Sequence, residues 1–216
     1  MKNTFAVIGL GTFGSKLAIG LCQSGHSVIA IDRSSAIIDD IKDKVTEAVI
    51  ADVTNPDTVK EIDIKNFEAV VFGMSSHFED LILALTLVKQ EGAKKIIAKA
   101  NTDLQKRILL RLGADEVIQP DQDIAERLTK RLSMSNVSDM FTFKGATIAE
   151  VKVPASLSGK SIKELDIRQK YNISILLLKK PGKDAENIWN PDVVLEEGDE
   201  LTVIGEEGNI IKLFQT

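Results

Sequence analysis

The sequence predicts an α/β protein, a doubly wound parallel sheet followed by a small α+β domain. Three observations carry that reading. Short apolar runs alternate with helical patterns through the first 120 or so residues; a glycine-rich turn follows the first run; and the pattern becomes β-rich from residue 141 onward. Strands separated by helices pair in parallel through right-handed crossovers, which gives helices on both faces of one sheet.

The elements follow in order. Residues 4–8 are an apolar run suited to a buried parallel strand. Residues 11–24 read as a helix, with Phe13, Leu17 and Leu21 at four-residue spacing and Gly25 at the left-handed position that ends it. Residues 27–32 form the second strand, and Ser34 or Ser35 caps a helix carrying Ile37, Ile38 and Ile41. Strands three to six are expected at 47–52, 68–73, 94–100 and 115–120. Helices at 78–90 and 104–112 lie between the last three, Gly113 closing the latter. The stripe Leu81, Leu85 and Val88 on the first of these suits the core of the chain or a contact between subunits. A helix at 124–132 follows outside the sheet, and the polar stretch 134–140 reads as a linker. The expected division is therefore 1–133, linker 134–140, and 141–216. The last part contains strands, a short helix at 161–165, a hairpin turned at Glu196-Glu197-Gly198-Asp199, and a closing helix at 210–214.

Composition narrows the function classes. The chain has 216 residues, 44% hydrophobic and 27% charged, with a formal net charge of −5. Such an acid balance disfavours non-specific binding to nucleic acid. No apolar run approaches the roughly 20 residues that span a bilayer, and the first residues run directly into a strand rather than a leader. A single cysteine, Cys22, excludes an intramolecular disulfide. These features fit a cytosolic chain that reaches a membrane only through a partner.

The glycine turn is the strongest motif. Gly9, Gly11 and Gly14 have the G-x-G-x-x-G spacing between a strand and a helix, and Asp32 ends the second strand 21 residues after Gly11. This is the fingerprint of a dinucleotide-binding, or Rossmann, fold. Gly9 allows the tight turn, Gly11 lets the backbone approach a pyrophosphate, and Gly14 lets helix pack on strand. Asp32 accepts from a ribose diol, and the helix N-terminus offers N–H groups to phosphate. Other strand ends line the same crevice. Asp52 and Val53 face the adenine; Gly73, Met74 and Ser75 approach ribose and phosphate; Lys99 faces the phosphates; Asp121 is a candidate cation or ribose contact. Each also reads as an ordinary polar loop residue.

A nicotinamide-dependent oxidoreductase is the rival reading. It requires a proton donor or acceptor beside the hydride-transfer position. His26 falls between helix and strand at the wrong end of the sheet, His77 opens a helix, Tyr171 lies outside the first domain, and Cys22 reads as a small apolar filler. No Cys/His cluster and no G-x-S-x-G elbow is present. A redox-sensing transcription factor would need a DNA-reading module, for which the pattern leaves no segment.

The stretches FAVIGLGTFG, IDRS, VIADVTN, AKANTDLQKRILLRLGADEVIQPDQD and GKSIKELDIRQKYNISILLLKK…LEEGDELTVIG together resemble the RCK family, the cytosolic gating subunits of Ktr and Trk potassium-uptake systems. The resemblance covers essentially the whole chain. It implies an N-terminal sensor for ATP, ADP or NAD(H), with contacts at Thr12, Phe13, Asp32, Arg33, Ser34, Asp52, Val53, Met74, Ser75, Lys99, Asn101, Gln105 and Asp121. It implies dimers assembled into an octameric ring under a membrane potassium channel or transporter subunit. Thr12 stands where Ktr relatives carry Arg, and Asp121 where they carry a Glu that binds Mg²⁺ or another divalent cation between subunits. Gln105 stands where relatives have His. The C-terminal part resembles the domain that binds cyclic di-AMP, with Ile162, Asp166, Arg168 and Asn172 at matching positions and Lys163 where an apolar residue is usual. Ile162, Leu165 and Ile167 read equally well as core, and Arg168 as half of a surface ion pair.

Overall fold

The computed structural model describes residues 2–75, 77–143 and 145–214. Two compact units divide the chain, residues 1–122 and 123–216. Residue 144, within the expected β-rich stretch, and the last two residues of the expected C-terminal domain lie outside the described residues.

The first unit alternates strand and helix: β1 (Thr4–Ile8), α1 (Thr12–Gln23), β2 (Ser27–Asp32), α2 (Ser35–Ile41), β3 (Glu47–Ile50), α3 (Pro56–Glu61), β4 (Ala69–Phe72), α4 (Phe78–Gln90), β5 (Ile96–Lys99), α5 (Asp103–Arg111) and β6 (Glu116–Ile118). α6 (Pro120–Ser133) begins at its end and belongs mostly to the second unit. The six strands are all parallel, in the order β3-β2-β1-β4-β5-β6. This is the doubly wound sheet the sequence predicts. β1 is central because it is apolar on both faces. Ala6 and Ile8 face one core layer while Val7 faces the other, all at 1% exposure or less. One layer is closed by α1 and α2 through Ala18, Ile38 and Ile41; the other by α3, α4 and α5 through Val59, Leu81, Leu85, Val88 and Leu109.

Local signals account for most boundaries. Thr102 caps α5, its hydroxyl accepting from Gln105 N–H at 3.2 Å, and Asn55 caps α3, its carbonyl accepting from Asp57 N–H at 2.9 Å. The Asn55-Pro56 pair, with proline at the first helical position, is the signal for α3, a helix the sequence reading did not place. α6 likewise begins at Pro120, four residues before the expected start. On α4 the stripe Leu81, Ala84, Leu85 and Val88 is fully buried in its own unit, so the subunit-contact reading of Leu81, Leu85 and Val88 does not hold. α6 is the opposite case. It buries no residue, and Ile124, Leu128 and Leu132 stand outward at four-residue spacing.

The second unit is an antiparallel sheet with short helices: β7 (Val137–Phe143), β8 (Ala146–Lys152), α7 (Ile162–Leu165), α8 (Ile167–Tyr171), β9 (Ser174–Lys179), β10 (Glu186–Asn187), β11 (Glu200–Gly205) and α9 (Glu207–Phe214). The strand order is β10-β9-β11-β8-β7. Its core gathers Val151, Ile173, Leu178, Leu195, Leu201, Val203, Ile210 and Phe214. α7 opens on a reciprocal cap: Ser161 Oγ accepts from Glu164 N–H at 3.2 Å, and Glu164 Oε2 accepts from Ser161 N–H at 2.8 Å.

Two expectations fail here for identifiable reasons. Residues 134–140 are not a linker, because β7 starts at Val137. Val137 and Met140 are buried against β8, while Ser138 is exposed and Asp139 pairs with Arg127. A register shift between Val137 and Asp139 breaks the two-residue alternation, so this edge strand reads as a polar loop. The hairpin at 196–199 is also absent. Both edges of β11 are occupied, by β8 and β9. The preceding segment turns instead to residues 159–162, where Gly159 N–H donates to Leu195 O at 2.8 Å and Leu195 N–H to Lys160 O at 3.0 Å.

Helix α1 supplies an internal comparison. A Cβ on Gly14 would lie 2.0 Å from Gly9 O, while a Cβ on Gly20 would meet nothing within 4 Å. Gly14→Ala is expected to cost about 2–4 kcal/mol of stability, and Gly20→Ala to add up to about 1 kcal/mol. Urea unfolding of the two variants measures the difference; equal effects would show that the α1–β1 contact is not tight.

Candidate functional site

Strand order reverses between β1 and β4. The connections leave these two carboxyl ends in opposite directions and open a crevice between them. A cleft of about 470 Å³ lies there, lined by residues from the ends of β1 to β5 and from the starts of α1 and α4.

Three glycines build its floor. Gly9 has φ +84°, and a Cβ on it would lie 2.7 Å from Met74 Cβ. A Cβ on Gly73 would lie 2.6 Å from Gly9 O and 2.9 Å from Gly14 Cα. Gly9, Gly14 and Gly73 therefore weld β1, α1 and β4 together at backbone distance. Gly11 differs: nothing lies within 4 Å of the Cβ it lacks, it is extended, and it occupies the N-cap of α1 without a side-chain cap. The first turn of α1 contains no acid. Its open N–H groups and positive dipole end consequently face the cleft, the arrangement that receives a phosphate.

Asp32 joins two segments. Its Oδ2 accepts from Leu10 N–H at 2.7 Å and its Oδ1 from Ser34 N–H at 2.9 Å. The carboxylate thus fixes the glycine turn against the start of α2 and retains lone pairs for a diol. Ser34 is the N-cap of α2, yet its side chain makes no capping bond there; the backbone bond to Asp32 orders that turn. Asp52 accepts from Thr54 Oγ at 2.7 Å and Thr54 N–H at 2.9 Å. The Thr54 hydroxyl foremost, then its N–H and the charge of Arg33, hold the Asp52 carboxyl below its ordinary value against a small opposing desolvation. Arg33 itself reaches Asp80, in the first turn of α4, at 3.5 Å.

At the other end Lys99 extends from β5, its side chain 16% exposed, to within 3.0 Å of Asp121 Oδ2. Asn101 donates to Ser75 O at 3.3 Å, and Gln105 accepts from Asn101 N–H at 2.8 Å. The cleft lining therefore brings together Gly9, Gly11, Thr12, Phe13, Asp32, Arg33, Ser34, Asp52, Val53, Gly73, Met74, Ser75 and Lys99. Gly14 lies behind the wall, and Asn101, Gln105 and Asp121 stand outside it, bonded to its lining or its neighbours. Asp121 is held by an ammonium, and no group of three or more His, Cys, Asp or Glu among the described residues is placed to hold a metal. Sequence reasoning missed Ile31, Ile37, Ala51, Thr54 and Asp80. The D-x-T pattern at 52–54 is a usable turn signal for Thr54. Nothing local marks Asp80, whose partner is 47 residues away.

In the second unit a groove of about 270 Å³ is lined by Ile162, Ile167, Arg168, Ile175, Trp189 and Pro191 among others. Ile162 and Arg168 line it. Asp166 (φ +47°) and Asn172 (φ +53°) do not; they are left-handed corners at the ends of α7 and α8. Trp189, 88% exposed, is the feature the sequence reading passed over.

The residues that hydride chemistry would need are scattered. His26 sits by the amino ends of the strands, its Nδ1 accepting from Asn3 N–H at 3.4 Å and its ring edge-on to Phe5 at 5.3 Å. Cys22 Sγ lies 3.6 Å from Thr46 Oγ, and Tyr171 belongs to the second unit. His77 does line the cleft, at the N-cap of α4.

Fold and cleft place the first unit in the Rossmann class. The match to families is more specific: the TrkA-N domain covers residues 5–120 and the TrkA-C domain residues 147–216, so the chain belongs to the TrkA-N/TrkA-C (RCK) family. It is 31% identical over 206 residues to Ktr system potassium uptake protein C of Bacillus subtilis, covering 95% of this chain and 93% of that one. It is 31% identical to protein A of the same organism over 97% of this chain and 95% of that one, and 30% identical to the Vibrio alginolyticus protein A over 95% and 94%. Among solved structures the GsuK RCK domain superposes with a TM-score of 0.66 at 18% identity, over 99% of this chain and 47% of that one. The GsuK channel bound to NAD gives 0.64 at 17%, over 99% and 39%. The chain thus spans less than half the length of those solved chains.

Asp32→Ala removes the acceptor of two N–H groups in partly buried surroundings. A loss of about 2–4 kcal/mol is expected, at about 1–3 kcal/mol for each stranded donor with some recovery by water. Chemical denaturation tests it, and an unchanged midpoint would mean that the glycine turn holds its shape without this carboxylate.

Proposed function

We propose that this chain is a regulatory subunit of a potassium-uptake system, one that binds an adenine nucleotide in the β1–β4 cleft and reads it without transforming it. The observation that carries the proposal is that the match to Ktr uptake proteins runs through both domains rather than the Rossmann half alone. Asp32 holds the ribose diol, the open first turn of α1 receives the phosphates, and Lys99 supplies a cation at the phosphate end. Thr12 adds no charge there, which suits ADP or NAD(H) as well as ATP. The oxidoreductase alternative is disfavoured by the family and by the dispersal of His26, Cys22 and Tyr171.

In this reading the chain works as a homo-oligomer, dimers forming an octameric ring against a membrane potassium channel or transporter subunit. The outward stripe Ile124, Leu128 and Leu132 on α6 supplies apolar surface for self-association. No helix among the described residues is long and apolar enough to cross a membrane. In this reading the chain meets the membrane through that partner, at its cytoplasmic face. A second input, cyclic di-AMP, enters at the groove of Ile162 and Arg168, where the guanidinium meets a phosphate and Trp189 offers a stacking face. A nucleotide moves such an assembly only by its difference in affinity for two shapes.

Parallel calorimetric titrations with ATP, ADP, NAD, NADH and cyclic di-AMP, with and without Mg²⁺, test the reading. Saturable binding of adenine nucleotides is expected, with a separate cyclic di-AMP site that Arg168→Ala weakens by about tenfold or more. NADH consumption with an added carbonyl substrate, or no binding of any adenine nucleotide, would overturn it.

A further inference from the structure

Among the described residues that line the cleft, Lys99 is the sole lysine and Arg33 the sole arginine. Arg33 belongs to the ribose end, beside Asp32 and Asp80, so the phosphate end depends on Lys99. The two members of the Lys99–Asp121 pair are held very differently. The Lys99 side chain is 16% exposed; that of Asp121 is 83% exposed.

Asp121 is the second residue of α6. That helix buries no side chain of its own, so polar braces rather than core packing fix its first turn. One brace is Gln119, only 5% exposed, whose Nε2 donates to Asp103 Oδ1 at 3.2 Å and to Gln122 Oε1 at 2.8 Å. Another is the 3.0 Å pair to Lys99. Beyond Gln122 the helix runs on across the division into the second unit.

We propose that a ligand phosphate and Asp121 compete for Lys99, and that this exchange reports occupancy of the cleft to the first turn of α6. The inference rests on the nucleotide reading above. A phosphate carries more charge and more acceptor oxygens than one carboxylate, and bound beside Lys99 it puts a second anion next to Asp121. Lys99 stays because it is packed. Asp121 leaves because it is exposed, and the first turn of α6 loses that brace. Asp121 thereby sets affinity as well as signal: it lowers the gain from Lys99 until it is displaced.

The test is a double-mutant cycle on the full chain with ADP as probe, read by calorimetry and by hydrogen–deuterium exchange of residues 120–133. Lys99→Met is expected to weaken ADP about tenfold or more. Asp121→Asn is expected to tighten it about threefold, and the gain should vanish in the Lys99→Met background. In the wild-type chain ADP should speed exchange at the start of α6; in Asp121→Asn that segment should already exchange fast and ignore ADP. Equal ADP affinity of Asp121→Asn and wild type overturns the exchange, as does a gain that survives without Lys99. Failure of both ADP and NADH to bind the wild type is a different result: it removes the nucleotide reading, and the exchange falls with it.

Discussion

The carbonyl oxygen of Gly9 lies where two other residues would need their side chains. A Cβ on Gly14 or on Gly73 would stand 2.0 Å or 2.6 Å from it. Because neither exists, β1, α1 and β4 close on one another by backbone contact, and the crevice at the strand reversal keeps a firm floor. The consequences run outward. α1 starts close to the sheet with its first N–H groups unobstructed, Asp32 reaches back to Leu10 N–H at 2.7 Å, and Met74 fits against the turn. Each depends on the turn holding one shape, since a phosphate site made of backbone donors has no side chains that adjust to a shifted ligand.

Each cation among the described residues lining the cleft is paired with a carboxylate. Arg33 lies against Asp80, and Lys99 against Asp121. A cation so paired offers the protein a change of partner when a phosphate arrives. That suits a ligand whose concentration is reported better than one held permanently. Among the described residues that line the groove of the second unit, Arg168 is the sole charged one. There an apolar strip from Ile162, Ile167 and Ile175 meets one guanidinium and one exposed indole.

Much of the first unit was readable from sequence because its signals are local and agree with one another. The central strands β1 and β4 are apolar on both faces, α4 carries an unbroken stripe, and the glycine spacing fixes turn and helix together. The misses have physical causes of two kinds. The start of β7, residues 137–140, was read as part of a linker because a bulge breaks its alternation and Ser138 and Asp139 are polar, and the segment before β11 was read as a hairpin because strand competition for the edges of β11 is not a local property. Asp80 and Trp189 escaped for the second reason: what makes them notable is a partner or a groove brought in from elsewhere in the chain. Asp166 and Asn172 were placed in a ligand site, where the chain uses them for left-handed corners.

The central claim is that the cleft's ligand is read, and the most direct test joins shape to ligand integrity. Small-angle scattering of the purified chain with ADP and with NADH, followed by recovery and analysis of the nucleotide, measures both at once. The account predicts a particle of several chains whose dimensions differ between the two ligands, with each nucleotide recovered intact. A particle of unchanged dimensions, or NADH returned oxidised in proportion to an added substrate, would contradict it.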